Sequence, residues 1–94
     1  MVVHVGLAGP LRVVIGASKL ELDVPDDPAT VSQAIDTLAA RFPRARRYLR
    51  DEAGGLNPAL RVLAAGIRQD IGDIETVILH DGDSLTLLTP VSGG

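Results

Sequence analysis

An amphipathic helical pattern with strand-like segments on both sides is the feature that most restricts the fold of this chain. Thr30 and Gln33 have the spacing of a capping box, in which two side chains satisfy free backbone N–H groups reciprocally. Apolar residues then recur at helical spacing until Pro43, which cannot continue a helix. They are Val31, Ala34, Ile35, Leu38, Ala39 and Phe42. The pattern predicts one main helix that begins near Thr30 and packs one face against a core.

The segment before this helix has the pattern of strands. Residues 2–7 alternate apolar side chains with polar or small ones, as a half-buried strand does. The chain turns after Gly9, and residues 12–15 and 19–24 are rich in Val, Ile and Leu with partial alternation. Residues 25–28 contain two prolines and end the pattern. We therefore predict that the first two strands pair as a hairpin.

The segment after the main helix adds two further strands. Residues 44–50 are expected to form a short helix, and residues 51–58 a polar loop. Residues 60–65 have the pattern of a third strand. Residues 67–80 show no sustained period, but their apolar side chains predict a buried loop with a short strand or helical turn. Residues 84–89 alternate again and are the expected last strand.

This order of elements predicts an α+β fold, a mixed sheet with the main helix packed on one face. By analogy with β-grasp folds, we expect the last strand to lie beside the first. The chain has 94 residues, of which 46% are hydrophobic, so a single domain over residues 1–94 is expected.

The composition excludes several functional classes. The chain has no cysteine, so disulfides and thiolate metal sites are excluded, and its formal net charge is -3. No apolar run reaches the length of a membrane helix, and the first residues lack the basic start of a signal peptide. A cytoplasmic protein without membrane contact is expected. His4 and His80 have no partners at ligand spacing, so no metal site is expected.

The sequence ends with Gly93 and Gly94 directly behind an apolar segment. A glycine pair has few backbone restrictions, so it can enter a narrow channel and present its terminal carbonyl carbon to another protein. The alternative is a frayed, inert tail, because small residues are common at disordered termini.

Together these residues resemble the ubiquitin-like sulfur-carrier family of MoaD and ThiS proteins. The resemblance covers nearly the whole chain. Its most specific part is Asp81-Gly82-Asp83, followed by one apolar strand and the ending Thr89-Pro90-Val91-Ser92-Gly93-Gly94. The length and the insertion at residues 44–58 resemble the MoaD branch, whose members are small subunits of molybdopterin synthase, or related thiocarboxylate carriers.

The resemblance implies a protein cosubstrate and not an enzyme. Its expected partners are a ubiquitin-activating-enzyme-like adenylyltransferase and a sulfur-accepting synthase such as the molybdopterin synthase large subunit. No cofactor is expected on this chain, because the activating partner uses ATP. Gly94 would be adenylylated and converted to a thiocarboxylate, Gly93 would allow access, and Pro90 would limit flexibility at the root of the tail.

The surface that a partner would recognise is expected on the sheet near the tail. Leu7, Leu88 and Val91 are the candidate apolar contacts, with Pro90 beside them. For Leu7 and Leu88, ordinary core packing is an equal alternative.

The basic stretch from Arg41 to Arg50 has two readings. It could bind phosphates or an acidic partner, or it could be a solvated helical face. Nucleic-acid binding is not expected, because the chain is net acidic and has few aromatic residues.

Several functions remain open at this stage. Besides molybdopterin synthesis, the sulfur could serve cysteine or thiamin synthesis. The chain could also be a ubiquitin-like modifier that is joined to lysines, or a β-grasp binding module with an inert tail. The oligomeric state is left open.

Overall fold

A mixed sheet with helices packed on one face forms the body of the protein. The computed structural model describes residues 1–64, 67–69 and 74–90, with backbone only at 67–69. The strands are β1 (Val2–Ala8), β2 (Lys19–Asp23), β3 (Ala29–Thr30), β4 (Arg61–Ala64), β5 (Ile67–Gln69), β6 (Ile78–Leu79) and β7 (Ser84–Leu88). The helices are α1 (Pro10–Ile15), α2 (Val31–Arg41), a 3-10 helix (Pro43–Ala45) and α3 (Arg46–Leu49).

The last strand lies in the middle of the sheet. The strand order is β2-β1-β7-β4-β5, and β3 and β6 form a separate two-stranded sheet. β7 pairs in parallel with β1 and antiparallel with β4, while β1 and β2 are antiparallel. This arrangement confirms the α+β, β-grasp fold predicted from the sequence, with the last strand beside the first.

Alternation along the strands places the core between the sheet and α2. Every second residue of β1 and β7 faces inward, and the apolar stripe of α2 packs on that face. Fully buried side chains of these three elements include Val3, Val5, Leu85, Leu87, Ile35 and Leu38.

The predicted start of the main helix is confirmed in detail. The Thr30 N–H donates to Gln33 Oε1 at 2.8 Å, and the Gln33 N–H donates to Thr30 Oγ1 at 3.1 Å. These two bonds form the capping box and satisfy donors that the first turn would leave free. The helix ends at Arg41, one residue before the Phe42-Pro43 pair that the sequence marks as its end.

The predicted strand at residues 12–15 is wrong, because this segment belongs to α1. Pro10 occupies the first turn, and Gly16 ends the helix in the left-handed region at φ 85°. Helical geometry buries Leu11 completely and leaves Val13 80% exposed. Tertiary packing of Leu11 therefore overrides the β-preference of the Val and Ile residues. The antiparallel pairing of the first two strands is confirmed, but a helix joins them in place of a tight turn.

The second half agrees with the sequence in most places. The short helix predicted at 44–50 is present as the 3-10 helix and α3. The predicted third strand is present as β4, which begins one residue later than predicted, at Arg61. Its predicted last residue, Ala65, and the turn at Gly66 lie outside the described residues. Within residues 67–80, short strands occur at β5 and β6.

Arg50 connects three parts of the chain from a nearly buried position. Its guanidinium forms ion pairs with Asp36 at 2.9 Å and Glu75 at 2.7 Å, and Nη2 donates to Ser32 Oγ at 2.9 Å. Burial disfavours the charged form, but the hydrogen bonds to Glu75 and Asp36 outweigh it and raise the pKa of Arg50. Arg50 thus joins the end of α3 to α2 and to the chain before β6.

Replacing this arginine should destabilise the fold. We expect Arg50→Ala to lower the free energy of unfolding by about 1–3 kcal/mol, because it removes a buried donor from several acceptors. Asp36 and Glu75 keep access to water, which limits the loss. Urea denaturation would measure the change.

Arg46→Ala is the matched control for this measurement. Arg46 is the first residue of α3, four positions before Arg50, but it is exposed and forms no ion pair with a described residue. We expect this control to change stability by less than about 0.5 kcal/mol. Equal losses in the two variants would contradict a structural role for the Arg50 contacts.

Candidate functional site

The candidate site is the start of the C-terminal tail, Thr89 and Pro90, which we call the tail root. β7 leads directly into these residues. β7 is held on both edges, with Leu88 opposite Ala8 of β1 and Arg61 of β4. Thr89 and Pro90 follow the strand. The predicted site residues Val91, Gly93 and Gly94 lie outside the described residues.

Thr89 holds the root against the start of α1. Its side chain is buried, with only 4% exposure, although its neighbours Leu88 and Pro90 are exposed. The Leu11 N–H donates to Thr89 Oγ1 at 3.4 Å, and the Thr89 N–H donates to the Ala8 carbonyl at 3.5 Å. These contacts extend the parallel pairing of β1 and β7 by one residue beyond the strand.

Gly9 is the residue that permits this close approach. It has φ 71° and ψ -152°, a region that is essentially restricted to glycine. A Cβ placed on Gly9 would overlap the Thr89 carbonyl oxygen, and the Thr89 carbonyl carbon would be only 3.0 Å away. The backbone of the tail root therefore lies directly against a position where no side chain fits.

The two predicted contacts on the sheet, Leu7 and Leu88, differ in their exposure to solvent. Leu88 is 36% exposed and lies on the sheet face away from α2. For Leu7 the alternative of core packing is correct and the predicted partner contact is wrong, because Leu7 is 4% exposed and belongs to the core. The register explains the difference: Leu7 pairs with the buried Leu87, so the two predicted contacts point to opposite faces. Pro90 is exposed, and its predicted contact with a partner stays a prediction.

Sequence reasoning missed the roles of Gly9 and Thr89. Gly9-Pro10 has the composition of a turn, and Thr89 was the expected end of a strand. The pattern of a single segment could not reveal that the two residues touch, since they are eighty positions apart in the sequence.

The basic stretch is divided among three environments. Arg41 donates to the Glu21 carbonyl at 3.0 Å, and Arg50 is nearly buried in its ion pairs. Arg44, Arg46 and Arg47 are exposed. The interpretation of the stretch as a solvated face is therefore wrong for Arg50, but it is correct for Arg44, Arg46 and Arg47.

The described residues contain no cluster of potential metal-ligating side chains. Among the same residues, no helix has the length and apolar character needed to cross a membrane.

The fold and the position of the terminal strand define a ubiquitin-like β-grasp protein. The sequence model of the ThiS family matches residues 5–94. The chain therefore belongs to the ThiS family, among ubiquitin-like small modifiers and sulfur carriers. No curated protein sequence matches it significantly.

Solved structures agree with this assignment over the full length. SAMP1 from Haloferax volcanii has 30% sequence identity and a TM-score of 0.86, with 100% of both chains covered. SAMP1 from Methanosarcina acetivorans has 25% identity and a TM-score of 0.79, covering 99% of this chain and 96% of that one. The Amycolatopsis orientalis BexX/CysO complex gives 27% identity, a TM-score of 0.76, and coverage of 98% and 99%.

A side chain at Gly9 should displace the tail root. We expect Gly9→Ala to lower the free energy of unfolding by at least about 2 kcal/mol, through backbone strain and overlap with the Thr89 carbonyl. Thermal denaturation would measure stability, and amide exchange at Thr89 would report the displacement.

Gly16→Ala is the control that distinguishes backbone strain at a positive φ from overlap with the Thr89 carbonyl. Gly16 also has a positive φ of 85°, but a Cβ there would meet nothing within 4 Å. We expect a loss of about 1 kcal/mol and unchanged exchange at Thr89. If both variants accelerate exchange at Thr89 equally, the contact with Gly9 does not fix the root.

Proposed function

We propose that the chain is a sulfur carrier that works with Gly94 as its reactive C-terminus. An ATP-dependent activating enzyme would convert the Gly94 carboxylate to an acyl-adenylate and release pyrophosphate. A sulfur donor would then displace AMP and leave a thiocarboxylate. The observation that supports this most is the match to the ThiS family through residue 94, with a glycine pair at the end of a tail whose root is fixed.

The described residues would contribute position to this chemistry. Contacts at Thr89 fix where the tail leaves the body, and Pro90 restricts the next backbone step. Fixing the root reduces the conformational entropy that is lost when the tail enters a partner's active site. Gly93 would allow passage through a narrow channel, and Leu88 and Val91 would contact the partner.

The chain has almost no lysine side chains that could react with an activated acyl group. Eight of the nine basic residues are arginines, and Lys19 is the single lysine. A deprotonated amine attacks an acyl-adenylate, whereas a guanidinium remains protonated at neutral pH. The chain would thus expose few groups that could react with its own activated terminus.

Molybdopterin synthase is the proposed acceptor, with this chain as its small subunit. The proposal rests on the resemblance of the tail and of the 44–58 insertion to the MoaD branch. Cysteine and thiamin synthesis are the alternatives, and incubation of the loaded carrier with each acceptor enzyme would distinguish them by the sulfur-containing product.

Sulfur loading is the direct test. Incubation with an activating enzyme, ATP and a sulfide source should raise the intact mass by the replacement of one oxygen with sulfur. Variants that lack Gly94 or carry one additional residue after it should show no gain. If the unmodified chain forms neither adenylate nor thiocarboxylate with several activating enzymes, the proposal is wrong. The result would then favour a binding module with an inert tail.

A protein modifier is the second candidate, because similar structures include small archaeal modifier proteins. The same acyl-adenylate would then react with a lysine amine, forming an isopeptide bond and releasing AMP. Lys19 is the only side-chain amine that a second copy could offer, and it is exposed at the start of β2. The Met1 amine is partly occupied, since it donates to the Val24 carbonyl at 2.8 Å.

If the chain is a protein modifier, one type of isopeptide bond can form between two copies of it. Adducts formed after activation should contain the Gly94 carbonyl joined to Lys19, and Lys19→Arg should abolish them without reducing adenylate formation. Peptide mass spectrometry would locate the bond. A purely sulfur-carrying protein should give the thiocarboxylate and no isopeptide adducts with itself or with other proteins.

A further inference from the structure

An open groove runs between α1 and the segment formed by the 3-10 helix and α3. We call it the α1 groove, and its lining includes Val13, Val14, Arg44, Arg46, Arg47 and Tyr48. The proposed sulfur chemistry uses none of these side chains, so the groove needs its own explanation.

The groove contains positive charge that the described residues do not neutralise. Arg44, Arg46 and Arg47 are exposed and form no ion pair with a described carboxylate. Arg47 is oriented by Tyr48, since its Cζ lies 5.0 Å from the ring centroid and its Nη2 donates to the tyrosine hydroxyl at 2.9 Å. Holding a guanidinium in place reduces the entropy lost when it binds an anion.

Two carboxylates, Asp51 and Glu52, also lie at the edge of the groove and offset part of this charge. Asp51 Oδ1 accepts hydrogen bonds from the Ala53 and Gly55 N–H groups at 3.0 and 2.9 Å, so it stabilises its own loop. Glu52 is exposed and forms no ion pair with a described arginine. Asp51 keeps its negative charge, because its donors are neutral backbone N–H groups. Three unpaired arginines still outnumber these two carboxylates, so the groove is net positive.

The groove also has an apolar side. Val13 is 80% exposed, and Val14 and Tyr48 are partly buried beside it. A single exposed valine needs no explanation, but one that borders three unpaired arginines offers a mixed surface. A protein segment can cover Val13 and pair with the arginines together, whereas a small phosphate would leave Val13 in water.

The charge is distributed unevenly over the molecule. Asp23 ends β2, and Asp81 and Asp83 precede β7, so these carboxylates lie at the sheet end opposite the tail. The chain is net acidic at -3, and Arg44, Arg46 and Arg47 give the α1 groove a local excess of exposed positive charge. Such a distribution orients a partner during encounter.

The groove adjoins the tail root through α1. Gly9 touches Thr89, and α1 begins with the next residue, Pro10. Gly9, Pro10 and Val13 together border the continuation of the groove along α1. A protein that takes the tail into its active site would have its surface close to this groove.

We propose that the α1 groove binds an acidic segment of the protein that receives the tail. Its carboxylates pair with Arg44 and Arg47, and one apolar side chain covers Val13. Naming this protein as the partner rests on the proposed function, but the preference of the groove for acidic segments does not.

Binding of a defined peptide tests the groove itself. The probe is a short fluorescent peptide rich in Glu with a central Leu, compared with its Gln counterpart by fluorescence anisotropy at low salt. Arg44→Glu/Arg47→Glu should weaken binding of the Glu peptide at least about tenfold. Lys19→Glu/Arg41→Glu makes the same change in net charge outside the groove and should preserve binding within about twofold.

A second pair of variants tests the apolar contact. Val13→Ser should weaken binding of the Glu peptide by about threefold or more. Ile78→Ser is the control, because Ile78 is also exposed, at 50%, but lies on β6. Unchanged binding in Val13→Ser would overturn the proposed mode, and so would equal losses in the two charge variants. Displacement of the Glu peptide by pyrophosphate at matched ionic strength would assign the groove to small anions.

Sulfur loading separates this proposal from the proposed function. With the activating enzyme or acceptor that takes the tail, Arg44→Glu/Arg47→Glu should raise the KM for the carrier about tenfold and change kcat by less than about twofold. An unchanged KM with both enzymes would overturn the assignment of the partner even if the peptide binds. No loading of the unmodified chain would instead reject the proposed function and leave the peptide result intact.

Discussion

Parallel pairing of β1 with β7 is the contact on which the rest of this structure depends. It joins the two ends of the chain and places the terminal strand in the middle of the sheet, with neighbours on both edges. It also turns the alternate residues of both strands toward α2 and so forms the core. Because the last strand is enclosed, the tail leaves the body from a rigid base. A strand at the sheet edge would give no such base, since it would be held by one neighbour only.

The same pairing explains the geometry at the tail root. Parallel strands end on the same side of a sheet, so the turn into α1 and the exit of the tail are adjacent. Gly9 provides the space, and Thr89 provides the buried hydroxyl and the backbone contact. The protein therefore combines a rigid point of departure with a terminal segment rich in glycine. That combination supports the proposal that the chain presents Gly94 to other proteins.

Charge is distributed unevenly between the two ends of the sheet. Carboxylates lie where β1 begins, and exposed arginines lie beside α1, near the tail root. Arg50 stands apart from the other arginines because it stabilises the fold through Asp36 and Glu75. A basic stretch that looks uniform in the sequence thus serves a structural purpose at one position and forms a surface at others.

The sequence by itself determined the local elements: the capped α2, the alternating strands, the helix breaks at proline and the glycine ending. These depend on neighbours within a few residues, so their pattern is visible in one dimension. Only the tertiary structure decided that residues 12–15 form a helix, that Leu7 is buried while Leu88 is exposed, and that Gly9 touches Thr89. Each of these depends on pairing between residues far apart in the chain. The register of such pairing, and the core that it encloses, override local preference.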